Sequence, residues 1–81
     1  MSAIENRLSD LGITLPEPPR PVASYLPAVQ SGHLLMVSGQ IPFEDGVLVA
    51  NGPVPSKVSI DGATAAARRC AINGLAVAKA A

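Results

Sequence analysis

Eighty-one residues with six basic and six acidic side chains, 48% of them hydrophobic but only 2% aromatic, narrow what this chain can do. No run of like charge exceeds Arg68-Arg69 and no stretch approaches the roughly 20 apolar residues of a membrane span, so a phosphate-backbone footprint and a membrane helix are both disfavoured. A domain of this size buries only about 60% of the surface it exposes when unfolded, and alanine-rich hydrophobicity with Tyr25 and Phe43 as the aromatics leaves little area per buried residue.

The first predicted element is a short helix from Ala3 to Leu11, with Ser2 as N-cap, Ile4, Leu8 and Leu11 on one face, and Gly12 as its stop. Glu5 and Asp10 interrupt any apolar run there, which excludes a secretory signal. With one cysteine, Cys70, unable to form an internal bridge, the chain reads as a cytoplasmic protein of a reducing compartment. Leu15 to Pro21 is an extended, proline-stiffened lead-in, so residues 1-21 form a helix and spacer ahead of a domain over 22-81.

Val22 to Val29 alternates as a strand, confined by Pro27 to an edge or bulge, and Gln30 to His33 is the turn that follows. The apolar run Leu34 to Ser38 fits a central strand. Asp45-Gly46 marks a tight turn before a short strand over Val47 to Ala50, making an antiparallel meander the simplest topology.

Beyond the breakers Asn51-Gly52-Pro53 and Pro55, Ser59 is positioned to cap a helix beginning at Ile60, with Asp61 at its positive end. Ala63, Ala67, Cys70, Gly74, Val77 and Ala81 recur on it as a stripe of small residues that lets a helix lie close on a sheet. Gly74 costs about 1 kcal/mol relative to alanine, which points to close backbone approach. Asp61, Arg68 and Lys79 lie opposite, and Ile72 projects from that charged side, as a contact to other polypeptide or as an ordinary exposed apolar residue. Leu75 to Ala81 carries no helix stop, so the chain reads as a fragment, a truncated frame or one part of a two-chain assembly.

The most informative segment is Ser38-Gly39-Gln40-Ile41-Pro42, directly after the apolar run. A strand ending in Ser-Gly-Gln and stopped by proline turns polar groups and bare backbone toward a rim, although the same residues also make an ordinary strand exit. No metal-ligand cluster accompanies His33, which reads as a solvated turn residue. No Gly-rich phosphate loop precedes the helix, and no base is tied by spacing to Ser38. The residues alone indicate a pocket without indicating a reaction.

Taken with Pro21 to Tyr25, Gly32 to Val37 and Ala65 to Asn73, this segment resembles the Rid/YjgF family, also called endoribonuclease L-PSP. Leu11 to Pro16 is similar to the subgroup that opens with Leu-Gly-Ile-Thr-Leu-Pro. The resemblance implies an α+β, chorismate-mutase-like fold, an antiparallel sheet packed by a long helix, here truncated to the N-terminal half. It further implies hydrolysis of reactive 2-imino acids and enamines to 2-keto acids and ammonia, without a cofactor or a metal. The partners implied are an imino, enamino or keto acid and either a homotrimer or completion by another chain, with sites in clefts between subunits. Tyr25, Ser38, Gly39, Gln40, Ile41 and Pro42 match the family's pocket wall: Tyr25 would lie over the substrate, Gly39 would let backbone approach its nitrogen, and Ser38 and Gln40 would hold the loop or a water. The carboxylate-binding arginine and water-orienting glutamate fall outside the matched residues, and Arg68 and Arg69 do not substitute for them. Two other functions remain open, a noncatalytic small-molecule binder on the same scaffold and an endoribonuclease or translation inhibitor. Neutral charge and the lack of an aromatic platform make the last the least attractive.

Overall fold

Two local signals set the N-terminal element. The computed structural model describes residues 2-18 and 26-81, and in it α1 (Ala3–Asp10) begins at Ser2, whose Oγ accepts from the Glu5 N–H at 3.1 Å. It ends where Gly12 takes φ +73°, with the Gly12 N–H donating to Ser9 O at 3.0 Å and the Ile13 N–H to Leu8 O at 2.9 Å. That pairing satisfies the last carbonyls through a left-handed residue, the conformation glycine adopts without Cβ strain. The apolar face expected of this helix buries nothing: Ile4 is 68% and Leu11 56% exposed. Residues 13-18 form neither helix nor strand, in keeping with their prolines.

The strands form two hairpins. β1 (Ala28–Ser31) and β2 (Leu34–Val37) pair antiparallel from Ala28↔Val37 to Ser31↔Leu34, around a Gly32-His33 turn with Gly32 at φ +58°. Of the predicted strand over 22-29, residues 22-25 lie outside the described residues, and among the rest only Ala28 and Val29 are paired. Pro27 cannot donate to a ladder, so pairing starts after it, and Gln30 and Ser31 extend the strand instead of turning. β3 (Phe43–Glu44) and β4 (Val47–Leu48) pair across Asp45-Gly46, both at positive φ (+53° and +80°), the turn whose twist suits a two-residue hairpin. The last strand stops at Leu48, short of the predicted Ala50.

Among the described residues the meander is not made: β2 pairs with β1 alone and β3 with β4 alone. Pro42 lies at the junction, and a residue without an N–H cannot carry a ladder from β2 into β3. The Leu34–Val37 run is therefore not central, and Leu34 and Met36 are each 69% exposed.

α2 (Ile60–Ala80) starts as its sequence predicts, with Ser59 Oγ accepting from the Gly62 N–H at 3.0 Å. Its packed face differs. Ile72, Asn73, Ala76 and Val77 are buried, Ala63, Cys70 and Gly74 are half-buried, and Ala67 and Ala81 face solvent. Ile72, expected on the charged side, is core at 7% exposure: the helix is rolled toward its larger side chains, which release more area per contact than alanine. Nor is Gly74 forced by close approach, since a Cβ there would meet only Gln40 Cγ at an ordinary 3.9 Å. The α+β fold with antiparallel strands and a C-terminal helix is as expected, and its core is small. The chain exposes 6074 Å², where a compact monomer of 8.2 kDa presents about 4,500 Å². No helix among the described residues is long and apolar enough to cross a membrane.

Candidate functional site

The Ser38 to Pro42 segment bridges the two hairpins, and its polar groups are turned onto backbone. The Ser38 N–H and Oγ both donate to Pro27 O, at 3.0 and 3.1 Å, tying the exit of β2 to the entry of β1. Gln40 Nε2 donates to Ser38 O at 3.1 Å. With both side chains engaged, Gly39 is left exposed, and a Cβ built on it would meet nothing within 4 Å. Ile41 is 45% exposed, whereas Pro42 is half-buried and its carbonyl accepts from the Val49 N–H at 3.0 Å.

Tyr25, placed by the family resemblance beside this segment, lies outside the described residues. His33 sits at the far end of β2, about 16 Å from Ser38 at the rise of an extended strand. It is no base for that hydroxyl, which leaves Ser38 the orienting role its hydrogen bond already performs.

Beneath the loop lie two residues that the sequence pattern did not single out. Asn73 is 0% exposed, and its Nδ2 donates to Ile41 O at 3.2 Å and to Phe43 O at 3.0 Å. Arg69, one turn earlier on the same face of α2, donates Nε to Phe43 O at 3.0 Å and places its guanidinium 3.8 Å from Glu44 Oε1. The available signal was an i, i+4 pair of donors within an alanine-rich helix.

Next to the segment is a cleft of about 510 Å³ lined by Pro16, Glu17, Phe43, Asp45, Gly46 and Arg69, with Asn73 beneath them. None of Ser38 to Pro42 lines it, so loop and cleft are neighbours that share Asn73 and Arg69 as support. The cleft's lining is mainly apolar, with a guanidinium and two carboxylates as the charged groups, a mixture that suits a small molecule with both apolar and polar parts. Among the described residues no three His, Cys, Asp or Glu side chains come together as a metal site.

The fold recurs in solved proteins. The chain superposes on a candidate endoribonuclease from Shewanella oneidensis MR-1 with a TM-score of 0.89 and 32% identity, over 98% of this chain and 52% of that one. They share one fold. The protein Atu1372 of unknown function from Agrobacterium tumefaciens matches with a TM-score of 0.76 and 45% identity, over 95% of this chain and 45% of the other. Protein TCP17 of Trypanosoma cruzi is 38% identical over 66 residues, 82% of this chain and 41% of its own length. The chain thus spans about half the length of the proteins it matches. No family model matches it.

Proposed function

We propose that this chain is a Rid/YjgF-type polypeptide carrying the pocket rim for hydrolysis of 2-imino acids and their enamine tautomers. The observation that supports this reading is the exposed Gly39 backbone, held between two side chains that are both bonded inward. In the reaction, water adds to the imine carbon, the C–N bond breaks, and nitrogen leaves as ammonia to give a 2-keto acid. The electrophile is already reactive, so the protein's contribution is to hold substrate and water in line. Here Gly39 takes the substrate nitrogen against bare backbone, Ser38 and Gln40 keep the loop in shape, and Tyr25 closes over the substrate. The carboxylate-binding arginine and the water-orienting glutamate would come from polypeptide beyond these residues.

The same reading extends to assembly. Val29 and Met36 are cross-strand partners, and with Leu34 they make an apolar sheet face turned away from Leu35 and Val37. Covering that face in a homotrimer, or with a completing chain, would remove part of the excess exposed area. A cytoplasmic location accompanies a substrate class released by intracellular amino-acid chemistry.

The test generates an imine in situ from an L-amino acid with an amino-acid oxidase and follows keto-acid release. The chain is assayed alone and combined with the part of the Agrobacterium protein that it does not cover. Acceleration by the combined preparation, abolished by Gly39→Val in a folded assembly, is the expected result. A correctly assembled preparation without acceleration overturns the proposal. The endoribonuclease designation of the Shewanella protein favours a second reading; cleavage of single-stranded RNA by the same preparation, lost with Gly39→Val, would establish it instead.

A further inference from the structure

Pro42 has no N–H and cannot continue a ladder, and the carbonyls on either side of it both accept hydrogen bonds from α2. A single side chain donates to both. Asn73 Nδ2 reaches Ile41 O at 3.2 Å and Phe43 O at 3.0 Å, using both its hydrogens, while the Phe43 N–H closes on Ile41 O at 2.8 Å. Arg69 Nε adds a further donor to Phe43 O at 3.0 Å. Asn73 is fully buried and the bonds themselves part-buried, which limits the competition from water. Its Oδ1, also buried, has no partner among the described residues, so the amide is held there by its donor side alone.

We propose that Asn73, supported by Arg69, is the positioning residue of the Ser38 to Pro42 segment. Ser38 anchors the start of the segment on Pro27, Asn73 anchors its end on α2, and Gly39 is presented between two fixed points. This rests on reading the segment as the pocket rim. Asn73 itself touches no substrate: it acts by keeping the loop ordered before the ligand arrives, so that binding does not have to order it. A loop released at one end must regain its shape at each encounter, and affinity falls even when the helix beneath remains intact.

The experiment compares Asn73→Asp, Arg69→Met and Val77→Ala in the full chain. Asn73→Asp keeps the side-chain shape but turns a carboxylate oxygen toward two carbonyl oxygens. Val77→Ala opens a cavity under the same helix and removes none of the hydrogen bonds from α2 to the loop. Readouts are the melting temperature, amide hydrogen exchange at Phe43 and Val49, and, after combination with the part of the Agrobacterium protein that the chain does not cover, binding of 2-ketobutyrate followed by NMR titration. Exchange at both amides should accelerate about tenfold or more in Asn73→Asp relative to Val77→Ala, with keto-acid affinity falling by a similar factor. Arg69→Met, which removes one donor and leaves Asn73 in place, should accelerate Phe43 exchange by less and keep its melting temperature, which tests the clamp if Asn73→Asp does not fold. Equal exchange in all three variants, or the same loss of loop protection in Val77→Ala, overturns the assignment. If the unsubstituted chain, combined with the part of the Agrobacterium protein that it does not cover, binds no 2-ketobutyrate while Asn73→Asp still frees the loop, the pocket reading fails and the clamp stands as a structural one.

Discussion

The two helices of this protein start in the same way and end up with different roles. Ser2 and Ser59 each accept from the N–H three residues on, at 3.1 and 3.0 Å, and each helix carries an acidic residue in its first turn. Yet α1 buries none of its side chains, whereas α2 buries Ile72, Asn73, Ala76 and Val77 and holds the loop between the hairpins. Capping decides where a helix begins, and the surface it meets decides whether it organises anything. The tie from α1 to α2 is the Lys79–Glu5 pair at 3.9 Å, between partly exposed side chains.

The largest contrast should come from truncating one apolar residue on each helix. Ile72→Ala is expected to cost about 3 kcal/mol by urea denaturation, because it empties a buried site, while Ile4→Ala should change stability by less than about 0.5 kcal/mol. Similar losses from the two would mean that α1 packs on a surface it does not touch here. Next is the pair of caps: Ser59→Ala should lower global stability by about 1 kcal/mol, while Ser2→Ala frays only α1, visible as faster amide exchange at Glu5 with an unchanged midpoint.

The glycines sharpen the same comparison with opposite signs. Gly74→Ala should stabilise the chain by up to about 1 kcal/mol, since the position is helical and a Cβ there has room. Gly12→Ala forces a Cβ into φ +73° at the end of α1 and should cost about 1 kcal/mol of local helix stability. A destabilised Gly74→Ala would indicate an approach by other polypeptide at that point. The smallest effect is assigned to Lys79→Ala, below about 0.5 kcal/mol and smaller still in high salt, because a long surface ion pair gains little. Thermal melts at two salt concentrations would expose any larger role.

Much of the local structure was legible from the chain. The Ser caps, the Gly12 stop and the Asp45-Gly46 turn each depend on residues within one turn of one another, so short-range chemistry suffices to place them. The candidate loop was legible for the same reason, as a strand exit closed by proline. Its supports were not. An alanine-rich helix offers several faces of similar apolarity, and only contact with Phe43 and Ile41 shows that Asn73 and Arg69 share the working one. The Leu34–Val37 run looked central because apolarity reports what a strand prefers to touch, without reporting whether a neighbour is there.

From residue order alone came the helices, the positions of the tight turns and the strand exit closed by Pro42, because capping, turn conformation and proline's missing N–H are properties of neighbours in the chain. Folding in three dimensions settled which side of α2 is buried, the separation of the sheet into two hairpins, and the clamp across Pro42. Each of these joins groups up to some 30 residues apart, and their burial and hydrogen-bond geometry exist only once distant segments have met.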